Sequence, residues 1–337
     1  MEARNPINSN MNWEHYIEEV RSSLSDKVGN NPVLLLISGG VDSTVLGALL
    51  LRTLDPGQIH LMYMDTGLMR KNETENVKNT LGSLGARHIH IVHCENEFLS
   101  ALKGIDDPEA KRKTIGDLFI RIQERECSRL GLPESYFLAQ GTIAPDIIES
   151  GNPKTALIKS HHNVGSPLVD AKRQAGRVIE PLASFYKEDV RNLGRHLGIT
   201  EEQIRRHPFP GPGLAVRILG EVNKEKCDIL READAIFIEE LKKRRGPSGQ
   251  SLYDEIWQAY AALLSVRSVG VMGDKRNYGR VLALRAVNST DAMTAEVYPF
   301  QINDLLEISA LITKSVPEIG RVVYDISGKP PATIEWE

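Results

Sequence analysis

The chain alternates short apolar runs with longer stretches in which apolar residues recur every three or four positions. Val33–Ile37 (VLLLI) has no polar interruption, the mark of a strand buried on both faces. Thr44–Leu54 follows with helical spacing, Ile59–Met64 forms a second apolar run ending at Asp65, Glu73–Leu84 is a charged helical stretch, and His88–Val92 is a third strand. This βαβαβ order predicts a parallel sheet covered by helices, an α/β fold. Asp107-Pro108 opens a long helix that places Ile115, Leu118, Phe119, Ile122 and Leu130 on one face, with Lys111, Arg112 and Lys113 in its first turns. Positive charge there opposes the helix macrodipole, so these three are either solvated or matched to an anion. Phe137–Ala139 reads as a further strand, and Asn152–Arg177, rich in Gly, Pro, Lys and His, as a mobile lid.

His207-Pro-Phe-Pro-Gly-Pro-Gly213 stops any regular element, and a domain boundary is expected near Pro210, dividing the chain into 1–210 and 211–337. Beyond it, Lys224–Lys243 is an amphipathic helix with Ile229, Ala233, Ile236, Phe237 and Leu241 on its apolar side. Ile256–Val266 fits helix or strand equally. Val281–Val287, Arg321–Ile326 and Thr333–Trp336 have strand character, Gly273–Gly279 reads as a turn and Asp304–Lys314 as a helix. The second domain is therefore expected to be small and α+β.

At 337 residues the chain has room for about two domains. Its 41 basic and 45 acidic side chains leave a net charge of −4, which excludes a strongly basic nucleic-acid wrapper. The three cysteines, Cys94, Cys127 and Cys227, are too dispersed for a zinc knuckle or a disulfide framework. Neither a signal peptide nor about 18 uninterrupted apolar residues is present, so a cytoplasmic protein without membrane or nucleic-acid partners is expected.

Ser38-Gly-Gly-Val-Asp-Ser-Thr44 lies between a predicted strand and a predicted helix. Two glycines let the backbone approach an anion, and the helix start offers unpaired N–H groups, so phosphate is the expected ligand. Ser38, Ser43 and Thr44 can add hydroxyl donors, and Asp42 can hold Mg2+ on the phosphates. Neither the Walker lysine pattern nor G-x-G-x-x-G is present, which argues against terminal phosphoryl transfer and hydride transfer. The loop resembles the fingerprint of the PP-loop family, the ATP pyrophosphatases, which split ATP between its α and β phosphates.

Further segments, Ala139–Ser150, Ile158–Asn163, Arg206–Gly213 and Tyr324–Glu337, resemble the synthetase portion of GMP synthetases, in order, over nearly the whole chain from Val33. The resemblance implies a PP-loop ATP pyrophosphatase domain, with its lid near 152–177, followed by a dimerisation and XMP-binding domain. It implies a ligase of purine biosynthesis that aminates XMP to GMP through an adenylyl-XMP intermediate, releasing AMP and pyrophosphate. No amidotransferase motif precedes the loop, so the chain resembles the synthetase subunit of a two-subunit enzyme. Ammonia would then come from a separate glutamine amidotransferase, and the chain would form a homodimer.

By the same resemblance, Ser38, Gly39, Gly40, Val41, Asp42, Ser43 and Thr44 hold ATP. Asp42, Ser43, Asp146, Lys159, His161 and Lys187 form the catalytic set, with Asp42 and Asp146 as Mg2+ candidates. XMP is assigned to Arg112, Pro210, Gly211, Gly213, Arg321, Lys329, Ile334 and Glu335, the last two reading the purine. The remaining cations Lys275, Arg276, Arg280 and Arg285 are expected to be solvated or interface charge. Two rivals are an adenylating tRNA-modifying PP-loop enzyme, which calls for a basic face and usually paired cysteines, and a non-enzymatic adenylate-binding module.

Overall fold

The computed structural model describes residues 11–146, 167–272, 275–290 and 292–337. The chain divides into two compact units. The first comprises Met1–Asp65, Asn72–His93 and Gly116–Arg206; the second comprises Thr66–Lys71, Cys94–Ile115 and His207–Glu337. The division is thus not one cut near Pro210, because two earlier segments belong to the second unit.

The first unit is built on a parallel sheet of β1 (Val33–Ile37), β2 (Ile59–Asp65), β3 (His88–His93), β4 (Phe137–Ala139) and β5 (Val178–Ile179), in the order β3-β2-β1-β4-β5. Register runs Val33 opposite Ile59 on one side and Val33 opposite Phe137 on the other. Each of Val33, Leu34 and Leu35 is essentially inaccessible, which explains why β1 lacks polar residues. Leu34, Met62 and Leu138 pack with Cys127, Tyr136 and Val169 into one core cluster. The α/β expectation therefore holds. Helix Trp13–Val28, which was not anticipated, follows from an apolar stripe of Ile17, Val20, Leu24 and Val28 and from Asn12, whose side chain accepts from His15 N at 3.1 Å.

One local expectation in the first unit is corrected. Within the expected lid, Pro167–Gln174 is a helix; its Val169 is buried and Lys172 donates to the carbonyls of Glu134 and Tyr136 at 2.8 and 2.9 Å. Residues 152–166 of the lid, with Lys159 and His161, lie outside the described residues.

The second unit carries a sheet of β6 (Gln258–Met272), β7 (Lys275–Asn288), β8 (Glu296–Val297) and β9 (Ile319–Tyr324), with β7 antiparallel to β6 and parallel to β9. Helices Lys224–Lys243 and Ile302–Ser315 complete it, so it is α+β as expected. Residues 275–279, expected in a turn, instead pair with 268–272. Gly279 serves close strand approach: a Cβ there would come within 2.4 Å of Gly320 N. Thr333–Trp336, expected as a strand, is irregular, because side chains rather than a neighbouring strand take its carbonyls.

Candidate functional site

In the first unit the strand order reverses between β1 and β4, so loops leaving the carboxyl ends of these two strands border a crevice, the usual ligand position in open α/β sheets. Ser38-Gly39-Gly40 leaves β1 there, and Gln140-Gly141 leaves β4 beside it. A Cβ on Gly141 would sit 3.6 Å from the backbone of Asp42 and of Ser43. Gly39 has φ +80°, which a side chain would strain, and its missing Cβ would lie 2.7 Å from Glu73 Oε1. The helix then begins at Val41, inside the motif rather than at Thr44.

The hydroxyls hold the turn. Ser43 Oγ accepts from Ser38 N at 3.2 Å and donates to Gly40 O at 3.1 Å, Ser38 Oγ accepts from Gly40 N at 3.3 Å, and Thr44 Oγ1 donates to Gly40 O at 2.9 Å. The N–H groups of Val41, Asp42 and Ser43 belong to the first turn, which no helical carbonyl serves, so they form an anion-binding end.

Asp42 Oδ2 accepts from Lys187 Nζ at 2.6 Å, which brings together two residues expected in the catalytic set. Its Oδ1 is buried with no hydrogen-bond partner. A carboxylate oxygen in that condition suits a hard cation, so the donor chemistry fits Mg2+ at Asp42. Asp146 is employed differently: its Oδ2 accepts from Ile143 N at 3.1 Å, just before the helical residues 144–146.

One brace of this loop was not singled out from sequence. Arg206 donates from Nη1 to Gly39 O at 2.9 Å and from Nη2 to both oxygens of Glu73 at 2.7 and 2.6 Å. Glu73 is buried and Arg206 half-buried, so the pair is a partly buried clamp on the glycine turn.

All eight residues assigned to XMP lie in the second unit. Lys111, one of the three helix-start cations, is fully buried and pairs with the Glu337 carboxylate, while also donating to Ile218 O at 2.7 Å. Arg112 donates to the main-chain oxygen of Glu337. Of the three cations expected to be either solvated or matched to an anion, Lys111 and Arg112 are thus matched to Glu337. Glu335 accepts from Arg217 Nε and Nη2, both at 2.9 Å, and from Gln258 Nε2 at 2.6 Å. Arg217 lies over the rings of Tyr260 and Phe209, at 4.1 and 4.9 Å from their centroids. Burial works against its charge, but the facing Glu335 carboxylate outweighs this and holds the guanidinium more basic than usual.

Ile334 O accepts from Tyr260 OH at 2.7 Å. Gly213 has φ +64°, and a Cβ there would fall 2.3 Å from Leu68 O, so this glycine permits a close backbone approach; its N–H bonds Pro210 O at 2.9 Å. Lys329 Nζ donates to Ala292 O at 2.8 Å, and Arg321 Nε to Ser268 Oγ at 2.8 Å, both bonds exposed and apart from the Arg217–Glu335 pair in their partners.

Arg285 corrects the expectation of a solvated or interface charge. It is fully buried and donates to Asp325 Oδ2, Ser327 O, Thr333 O and Ile334 O at 2.8, 2.9, 2.6 and 2.8 Å. Its position in the apolar run of β7 was the one available signal, since a charged residue there has to be paired.

Residues 247–336 match the family described as the GMP synthase C terminal domain, and residues 19–109 match the family described as asparagine synthase. A GMP synthase (glutamine-hydrolyzing) of Symbiobacterium thermophilum is 50% identical over 323 residues, 95% of this chain and 60% of that protein. The chain is homologous to GMP synthases. The corresponding proteins of Bdellovibrio bacteriovorus and Aquifex aeolicus are both 48% identical, over 96% and 97% of this chain and 63% and 62% of theirs. The chain therefore spans about three fifths of the length of these GMP synthases. The GMP synthase C terminal match contains Arg285, Arg321, Lys329, Ile334 and Glu335, and the other match contains the whole 38–44 loop.

Proposed function

We propose that this chain performs the synthetase half-reactions of GMP synthesis: ATP adenylylates XMP with release of pyrophosphate, and ammonia then displaces AMP to give GMP. The observation that carries the reading is the glycine turn at the β1/β4 reversal, with a free helix start, Asp42 and Lys187 at one place. In the first step the C2 oxygen of XMP attacks the α phosphorus and the bond to the bridging oxygen breaks, so negative charge collects on departing pyrophosphate. The fixed N–H groups of Val41 to Ser43 meet that charge without reorganising, on a turn that the Ser38, Ser43 and Thr44 hydroxyls hold in shape. Lys187 is within reach of the same end of the loop through Asp42. Asp42 would hold Mg2+, which when bound adds positive charge beside the phosphates.

XMP is assigned to the second unit, where half-buried Lys329 and exposed Arg321 supply cations and the tail supplies Ile334 and Glu335. Asp146, Lys159 and His161 remain assigned to the ATP side. Ammonia is assigned to a glutamine amidotransferase on another subunit. In support, Cys94, Cys127 and Cys227 are all buried, and burial pushes the Cys127 and Cys227 thiols up to about 11 and 12, the reverse of an activated nucleophile. A homodimer through the second unit is supported by exposed Ile302, Leu306 and Ile326. Among the described residues no helix is long and apolar enough to cross a membrane.

The test is one assay containing XMP, ATP, Mg2+ and ammonium. AMP, pyrophosphate and GMP in equal amounts are expected; ADP as the stoichiometric product would overturn the reading. Glutamine should replace ammonium only after an amidotransferase subunit is added.

A further inference from the structure

We infer that Arg285 is a positioning residue that folds the 325–335 segment into the shape in which it meets XMP. The inference rests on the assignment of Lys329, Ile334 and Glu335 to that substrate. Residues 325–337 form no strand, so repeated main-chain pairing does not set their shape. A single guanidinium does much of it. Nη1 reaches Asp325 Oδ2 and Ser327 O at the start of the segment, while Nη2 and Nε reach Thr333 O and Ile334 O near its end. Four of the five donors of a planar fork are thereby used, and the two ends of a ten-residue excursion are tied to one side chain.

The excursion between these ties carries Lys329, whose main chain exchanges two hydrogen bonds with Ala295 at 2.8 and 3.0 Å. Asp325 also orients the start of the turn, accepting from Ser327 N at 2.9 Å. Just past the second tie, Glu335 is fixed by Arg217. Arg285 thereby sets where Thr333 and Ile334 lie relative to Lys329, which Ala295 holds, and to Glu335, which Arg217 holds. Arginine is the residue suited to this: a lysine at 285 would keep the charge against Asp325 but could not span carbonyls on both sides of the loop. Arg285 itself is fully buried, so it acts through the tail and not by touching substrate.

The test compares the full chain with Arg285→Lys and with the milder Asp325→Asn, which removes one charge-assisted tie and keeps the shape of the side chain. Michaelis constants for XMP and ATP, kcat, and the thermal midpoint are measured by pyrophosphate release with ammonium. Amide hydrogen exchange over 325–335 is followed in the protein without substrate. Arg285→Lys is expected to raise the XMP constant at least about tenfold and to speed exchange in the tail, with the ATP constant within about twofold of wild type. Asp325→Asn should move the same two readouts in the same direction by less. A fall in kcat with an unchanged XMP constant in the folded variants would assign Arg285 to stability alone and overturn the inference. If wild type releases pyrophosphate without any dependence on XMP, the substrate reading itself fails, whereas faster tail exchange in Arg285→Lys reports the tie independently of substrate.

Discussion

The phosphate loop and the C-terminal tail are both short, irregular and rich in small or restricted residues, yet they are shaped by opposite means. The loop is held mainly by its own atoms: its hydroxyl bonds span two to five residues, and the left-handed glycine makes the turn. Two contacts come from far away, the Arg206 clamp 167 residues on and the Lys187 bond to Asp42 145 residues on. The tail is held by side chains 40 to 226 residues distant, from Arg285, Tyr260, Arg217 and Lys111. Such sites respond differently to mutation. Local turns lose chemistry with little loss of fold, whereas a tail tied by buried cations loses stability when a cation goes.

The largest expected effect lies in the tail. Arg217→Met leaves the Glu335 carboxylate without its buried counter-ion and should destabilise the second unit by about 3–5 kcal/mol, read by denaturant unfolding. A loss under about 1 kcal/mol would mean that the tail is only loosely tied. In the loop, Asp42→Ala should cut pyrophosphate release by roughly 10²–10³-fold with little change in the unfolding midpoint, because the Asp42–Lys187 pair is partly solvated. A large stability loss there would erase the contrast between the two regions.

Acid provides a third probe. His207 Nε2 donates to Tyr253 O and its Nδ1 accepts from Ala259 N, so the neutral ring is fully used and a second proton would face an N–H. Burial holds its pKa at about 4 against 6.5 when unfolded. The unfolded chain therefore takes up the proton first, and stability is lost as pH falls from about 6.5 to 4, by at most about 3 kcal/mol. His207→Gln should flatten that part of the pH profile; the contribution of His60, whose ring is also lowered to about 4 by burial and by His88 and His90, would remain.

Two smaller effects separate the substrates. Lys329→Ala should weaken XMP use by about 10- to 150-fold, the worth of a charge-assisted hydrogen bond of roughly 1.5–3 kcal/mol, and leave the ATP constant unchanged. Arg206→Lys should do the reverse, raising the ATP constant about 3- to 10-fold through loss of the Gly39 carbonyl bond. If both variants moved both constants equally, the division of substrates between loop and tail would be wrong.

Much of the first unit was legible. β1 and β4 fall where their apolar runs place them, since an inner strand admits no polar side chain on either face. The helix from Pro108 was marked by its proline and its stripe, although its burial of Lys111 was not: helical spacing gives a face, not the carboxylate that awaits it. Of the turn expected at 273–279, residues 275–279 are strand instead, for a related reason. Glycine signals a special backbone need, but whether that need is a turn or the approach of another strand depends on residue 320.

By itself the sequence determined the α/β class, the glycine turn proposed to bind phosphate and the side chains available to it, because strand burial and glycine conformations are properties of a few neighbouring residues. Tertiary structure alone decided that Arg206 and Glu73 clamp that turn, that Arg285 organises the tail and that Glu335 and Glu337 answer buried cations. A buried charge is tolerable only where the fold delivers its partner, and a partner up to 226 residues away leaves no local pattern to read.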